Sequence, residues 1–272
     1  MIIDTHSHYN LPPLYQDWHR HWQEAQAHDV VGALVIGTNL KTSRAAITIS
    51  ENESQLWPAV GIHPTMAGEF LKSSLELEKT IAELGKLANQ DDVVAIGECG
   101  LDYFRLPKAG EARDAEIALQ QQLCRAQLQL AGELQLPVSI HLRDKTSLAY
   151  HDFLEMYQEI DPQVPTILHC VSGPTDWVLT MLEHGAFVSV AGNVSYPSAE
   201  HVRGLVAIIP PDRLLIETDA PYLPPKAYRG ESCLPWMISE TMTFLEQFLD
   251  KNREDIYQNT ISIFPQCEKV LE

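Results

Sequence analysis

Short runs dense in β-branched and other apolar residues recur along the chain at 2–5, 30–36, 57–62, 93–97, 137–140, 166–168, 187–191 and 214–218. Between them apolar residues return at three- and four-residue spacing, predicting helices near 14–28, 41–53, 74–89, 112–135, 146–159, 174–184, 198–207 and 236–250. Strand and helix therefore alternate from end to end, the pattern of parallel strands joined by helical crossovers. Most of the eight runs are continuously apolar, as strands covered on both faces are. Together these features predict an α/β fold, a single (β/α)8 TIM barrel over residues 1–272, with an open doubly wound sheet as the other architecture that alternation allows. A last segment near 253–262 reads as a short C-terminal helix over one end.

Composition bears this out: 272 residues suit one barrel, for which about 250 is typical. Hydrophobic residues at 45% and charged residues at 21% are ordinary for a globular chain, and no unbroken apolar stretch approaches the ~18 residues of a membrane span. The opening MIIDTHSHYN has no basic n-region, so a secretory signal is not expected and cytoplasmic residence is the default expectation. Five cysteines without a CxxC pair predict free thiols, neither a disulfide framework nor a thiolate zinc site. Strand alternation turns Cys99 and Cys170 away from the face of Glu98 and His169, which predicts small buried hydrophobes. A net charge of -18 argues against a broad electrostatic footprint on nucleic acid. It leaves DNA ends or small phosphoesters, drawn to a pocket that concentrates divalent cations.

The candidate chemistry gathers at one end of the predicted strands. His6, His8, His63, Glu98, His141, His169 and Asp219 all fall at or just past strand C-termini, the face on which TIM barrels build their active sites. His6 and His8, at i and i+2 on an extended chain, project to one side and can reach one cation. Glu98, in GECGLDY, closes the fourth strand, and its two oxygens could bridge two cations. Burying it there is costly unless it is paired or metal-bound. His141 in SIHLRD and His169 in ILHC offer neutral nitrogens to a second cation. Asp219 in LLIETDAPY is placed to bind the first and to accept a proton from an attacking water. Each residue alone would also fit a structural role, as a strand cap, a salt-bridged acid or a satisfied core histidine.

The oxygen and nitrogen donors suit Zn²⁺ or Mn²⁺, with Mg²⁺ a weaker match for imidazole. Two such cations would activate water near neutral pH, so in-line hydrolysis of a phosphate ester is the predicted reaction, with Glu98 and Asp219 as its catalytic carboxylates. Arg105, Arg143 and Arg229 lie in loops on the same face and can hold substrate phosphate or pair with surface carboxylates. His63 in GIHP has no evident co-ligand and is predicted to contact substrate phosphate. Glu217, deeper in the barrel, is predicted to fix an Arg or a ligand. Trp18 and Trp22 are expected to pack, with His19 and His21 on an exposed face. In QQQLCRAQLQLAGELQL, Leu123, Leu130 and Leu134 are expected to face inward and the glutamines outward.

The motifs DTHSH, GIHP, GECGLDYFR, IHLRD, HCVSG and ETDAPYL, in this order, resemble the TatD family of metal-dependent deoxyribonucleases over nearly the whole chain. QQLCRAQLQLAGELQLPV and NTISIF are similar to that family as well. The resemblance implies an amidohydrolase-type TIM barrel with two divalent metal ions. His6, His8, Glu98 and Asp219 would surround one and Glu98, His141 and His169 the other, with Glu98 bridging. The implied activity is release of nucleotides from DNA ends, with RNA or other esters as further substrates. Neither a membrane nor an obligate protein partner is expected. Thr65 stands where the family usually has His after GIHP, and Cys233 in RGESCLP where Asn is usual, both expected at the substrate rim. Two other readings use the same site: hydrolysis of a lactone, cyclic amide or small phosphoester, and a metal-dependent binding or adaptor protein without turnover.

Overall fold

The computed structural model describes residues 1–73 and 76–271. Eight strands form the sheet: β1 (Ile2–Ser7), β2 (Val30–Ile36), β3 (Leu56–Val60), β4 (Ala95–Asp102), β5 (Val138–Arg143), β6 (Thr166–Leu168), β7 (Phe187–Val190) and β8 (Leu214–Ile216). They pair in chain order and in parallel. Around them run α1 (Trp18–Gln26), α2 (Leu40–Asn52), α3 (Ala67–Phe70), α4 (Leu77–Ala88), α5 (Glu111–Leu134), α6 (Leu148–Ile160), α7 (Thr175–Glu183), α8 (Glu200–Ile208) and α9 (Ile238–Leu249). This is a TIM barrel. Helix starts carry local signals: Asn39 Oδ1 accepts from the amides of Lys41 and Thr42, and Thr42 Oγ1 accepts from the Asn39 amide, a capping box for α2. The helix expected over 74–89 is observed as α4, and positions 74 and 75 lie outside the described residues.

The seam between β1 and β8 is closed by few backbone contacts and several side chains. Ser7 bridges Ala220, the Asp219 amide donates to the His6 carbonyl at 2.9 Å, and the His8 amide donates to the Ala220 carbonyl at 2.8 Å. Asp4 accepts from the amides of His6 and Thr218 and from the Thr218 hydroxyl, and Thr5 Oγ1 donates to the Ile216 carbonyl. The seam thus brings the first and last predicted ligand segments side by side.

Apolar residues form two shells. One lies between the outer faces of the strands and the helices. The other fills the barrel with Ile3, Leu34, Ile36, Ala59, Ala95, Ile167 and Leu215 and continues into Tyr257, Ile261, Ile263 and Phe264. These last belong to α10 (Arg253–Ile263) and the turn after it, and α11 (Pro265–Leu271) follows. The terminal cover therefore extends beyond the single helix expected near 253–262. Among the described residues no helix is long and apolar enough to cross a membrane.

Two β-bulges decide which side chains enter the barrel. From Asp4 to Ser7 the chain takes three steps on β1 while β2 takes two, from Ala33 to Val35. From Ile96 to Cys99 it takes three on β4 while β5 takes two, from Val138 to Ile140. Plain alternation from the inward Ile3 and Ala95 would leave His6, His8 and Glu98 facing the helices. The extra residue in each strand reverses the parity and turns all three inward. A Cβ on Gly61 would run into the backbone of Gly97 and Glu98, so β3 can lie against this irregular segment only with glycine there. β4 and β5 also extend well past the predicted 93–97 and 137–140, pairing from Cys99 with Ile140 up to Asp102 with Arg143.

Helix α5 follows the expected apolar-in, glutamine-out pattern at Leu123, Gln122 and Gln129 and departs from it elsewhere. Gln120 and Gln127 are buried, whereas Leu130 and Leu134 are only partly covered. Gln127 accepts from the Ile62 amide at 2.7 Å and donates to the Ile62 carbonyl at 3.0 Å, and Gln120 makes the same pair of bonds with Asp102. Both satisfy backbone groups that leave the sheet ladder at the barrel mouth. In α1, Trp18 and Trp22 are buried as expected, but His21 is buried too, while the exposed His19 stacks on Trp18.

Replacing Gln127 by Ala strands a buried N–H and a buried C=O, at about 1–3 kcal/mol each. Urea denaturation is expected to register a loss of about 2–5 kcal/mol for Gln127→Ala, against less than about 0.5 kcal/mol for the exposed Gln122→Ala. Equal curves for the two variants would remove Gln127 from this role.

Candidate metal centre

Glu98 is 4% exposed and surrounded by imidazoles. Its two oxygens face different neighbours. Oε2 lies 3.6 Å from His6 Nε2 and 3.9 Å from His8 Nε2, while Oε1 lies 2.8 Å from His141 Nδ1 and 3.3 Å from His169 Nε2. Asp219 Oδ1 completes the first side, 3.4 Å from His8 Nε2 and 4.0 Å from His6 Nε2. All six predicted ligands are thus together. The donor atoms of His6, His8 and Asp219, and those of His6, Glu98 and His169, lie within 4.8 Å of one another.

Three of the four candidate ligand imidazoles have the other nitrogen hydrogen-bonded, which fixes the ring and its tautomer. His8 Nδ1 donates to the Ile36 carbonyl at 3.0 Å, leaving its Nε2 lone pair toward Asp219. His6 Nδ1 lies 3.2 Å from Ser139 Oγ, and His169 Nδ1 lies 3.0 Å from Glu217 Oε1. His141 Nε2 lies 3.5 Å from Asp102 Oδ2. Glu217 therefore holds the ring of a candidate ligand. Ser139 and Asp102 were not foreseen, although each shares strand parity with a ligand, Ser139 with His141 and Asp102 with Glu98.

The electrostatics fit a cation site. Burial and the neighbouring His169 push His6 down to about 3, so its imidazole is neutral. Its Nε2 is buried without a hydrogen-bond partner. Such an orphaned lone pair is expensive unless a cation occupies the space beside it. Burial would raise the Glu98 carboxyl, yet His63, His141, His169 and His6 outweigh it and hold it well below the usual carboxylate range. Burial opposes charge on His169, and Glu217 and Glu98 more than reverse that, raising it well above the ordinary value. Without a cation His169 therefore carries a proton, which a bound ion would displace; imidazole and carboxylate donors of this kind suit divalent first-row ions.

His63 is the exception among the imidazoles. Its Nδ1 accepts from the Thr65 amide at 3.2 Å and lies 2.7 Å from Thr65 Oγ1, so the proton of the neutral ring sits on Nε2. That N–H points at Glu98 Oε1, 3.4 Å away. Geometry alone groups His63 with Glu98 and His141 as possible ligands, but in this tautomer His63 is a donor and not a ligand.

These groups open into a cavity of about 480 Å³ whose rim includes Arg105, Arg143 and Tyr222. Arg105 is held at Asp102, with Nε 3.7 Å from Oδ2. Arg229 does not line the cavity; its guanidinium sits over Tyr196, 4.9 Å from the ring centre. None of the five cysteines is in a disulfide. Cys99 packs in the outer shell as expected. Cys170 instead lines the cavity, because it follows the end of β6 with φ 46° and alternation no longer applies. Cys233, expected at the rim, is buried beside Ala220 and Met237 with Sγ toward the Thr218 carbonyl.

A family model described as TatD related DNase matches residues 3–268. A Bacillus subtilis protein named as an uncharacterized metal-dependent hydrolase, YabD, is 30% identical over 259 residues, covering 94% of each chain. The 3'-5' ssDNA/RNA exonuclease TatD of Pantoea vagans is 35% identical over 246 residues, 86% of this chain and 88% of that one. Among solved structures, a TatD homologue from Escherichia coli, YJJV, superposes with a TM-score of 0.81 at 27% identity, covering 96% of this chain and 97% of that one.

If Glu217 sets the His169 ring, the isosteric Glu217→Gln should weaken divalent-ion binding about 10- to 100-fold. Isothermal titration with Mn²⁺ or Zn²⁺ measures this, with a thermal melt to establish that the variant is folded. Unchanged affinity in a folded variant would show that His169 needs no such partner.

Proposed function

This chain belongs to the TatD-related DNase family, and from that premise we propose that it is an exonuclease hydrolysing phosphodiester bonds at nucleic-acid ends with a metal-activated water. The observation that carries the reading is the division of the Glu98 oxygens, one toward His6 and His8, the other toward His141 and His169. A carboxylate so placed is suited to bridge two divalent ions, Zn²⁺, Mn²⁺ or Mg²⁺. Asp219 would complete the first set, and His141 and His169 the second.

When bound, the ions supply Lewis-acid activation of water and neutralise charge on the phosphoryl oxygens. The chain's own residues do the rest. Asp219, whose side chain is 14% exposed at the cavity floor, is the acceptor for the proton of the attacking water. His63, in the tautomer that Thr65 imposes, offers its Nε2–H as a hydrogen bond that turns from Glu98 Oε1 to a phosphoryl oxygen of the substrate. Arg105 and Arg143 hold phosphate at the rim. Glu217, Asp102 and Ser139 keep the imidazoles in register. The net charge of -18 disfavours a long electrostatic track, so the substrate is a chain end entering one pocket.

The test is digestion of end-labelled single-stranded DNA with Mg²⁺, Mn²⁺ and Zn²⁺ supplied in turn. Turnover is expected to vanish with chelator and to fall at least about 100-fold in Glu98→Gln with the fold retained. No digestion with any of the three ions would overturn the nuclease assignment. Turnover of a lactone, cyclic amide or phosphomonoester in its place would move the same site to a small-molecule substrate.

A further inference from the structure

Two exposed aromatic rings that the apolar core does not use stand near the cavity: Tyr222 lines it, and Phe104 lies against the lining residue Arg143. Phe104 is 41% exposed and Tyr222 is 52% exposed. Phe104 follows β4 and Tyr222 follows β8, so in an eight-stranded barrel they stand on opposite sides of the axis. Tyr222 lines the cavity, its ring edge-on to His8 with centroids 6.0 Å apart. Phe104 lies at the top of the extended β4–β5 ribbon, its amide donating to the Arg143 carbonyl. The two rings thus follow the segments that carry Glu98 and Asp219.

Phe104 is also the centre of a local concentration of positive charge. The Arg143 guanidinium is 4.2 Å and the Lys145 ammonium 4.6 Å from its ring centre. Segments 102–110 and 143–147 contain Arg105, Lys108, Arg143 and Lys145 against two carboxylates, Asp102, which pairs with Arg105, and Asp144. Asp144 is engaged in its own loop, accepting from the Thr146 hydroxyl and the Ala149 amide at the start of α6. In a chain of net charge -18, a basic patch around an exposed ring beside a phosphate-ester site matches a nucleotide, with the ring for the base and the cations for its phosphates.

We infer that Phe104, with Arg143 and Lys145, forms a base-stacking subsite, that Tyr222 forms a second one across the mouth, and that an unpaired strand laid between them is thereby centred on the metal cluster. The inference rests on the nuclease reading and adds to it the groups that hold the substrate. A base in a duplex has both faces stacked and cannot use either ring, so the subsites select single strands. Lys145, on its flexible stem, moves to a flanking phosphate as the base arrives.

The test pairs a protein change with a substrate change. Fluorescence anisotropy and initial rates are measured with short single-stranded oligodeoxynucleotides carrying one abasic residue at each position in turn. Phe104→Ala is expected to bind the fully based strand about 5- to 150-fold more weakly, with the change in KM, while Phe104→Trp retains binding. At one position near the cleaved bond, removing the base should weaken wild-type binding by a similar factor and leave Phe104→Ala unaffected. If Phe104→Ala binds like wild type, or loses as much with the abasic strand as with the based one at every position, the ring only braces its loop and the subsite is overturned. A wild-type protein that neither binds nor cuts any of these strands overturns the nuclease reading, and the subsite with it.

Discussion

A carboxylate buried inside a ring of imidazoles is the constraint to which the rest of the site conforms. Glu98 sits almost without solvent, and leaving such a charge unpaired in a protein interior costs several kcal/mol. Five histidines approach it; His6, His169 and His63 engage Ser139, Glu217 and Thr65 through their remaining nitrogens, and His141 Nε2 lies 3.5 Å from Asp102 Oδ2. His8, on the same side as Asp219, is fixed by the Ile36 carbonyl. The partners come from strands on all sides of the barrel, so the fold as a whole, not one loop, sets the distances between donor atoms.

The barrel and the convergence of the six candidate ligands were legible in the sequence because both follow from short-range pattern. Apolar runs alternate with amphipathic stretches, and His6, His8, Glu98, His141, His169 and Asp219 each stand where a run ends. Illegible was the reason that three of them face inward. A β-bulge is a property of two strands in register, and neither strand of a pair encodes it alone. The same holds for Gln120 and Gln127. A polar residue on a helix reads as solvent-facing until the structure reveals the backbone groups of Ile62 and Asp102 that it satisfies.

Other departures share a cause. Cys170 and the segments around Arg229 and Cys233 lie past strand ends, where period-two reasoning has no footing, so one thiol turns up in the cavity and another under the loop. Asp102 and Ser139 were within reach of the same alternation that identified the ligands, and were passed over because they end no apolar run. Thr65, a departure from the family pattern, takes up a defined task by setting the tautomer of His63. Polar chemistry here comes in layers, and the layer behind the ligands is written in less conspicuous residue types.

The hydrocarbon layer below the ligands governs traffic. Ile3, Leu34, Ile36, Ile167 and Leu215 fill the barrel beneath the cluster, and Phe264 and its neighbours stopper the lower rim. Whatever enters the cavity must then leave by the same upper doorway. A barrel plugged at its base thus orders events in time as well as in space: an occupant lingering at the entrance shuts in everything deeper than itself.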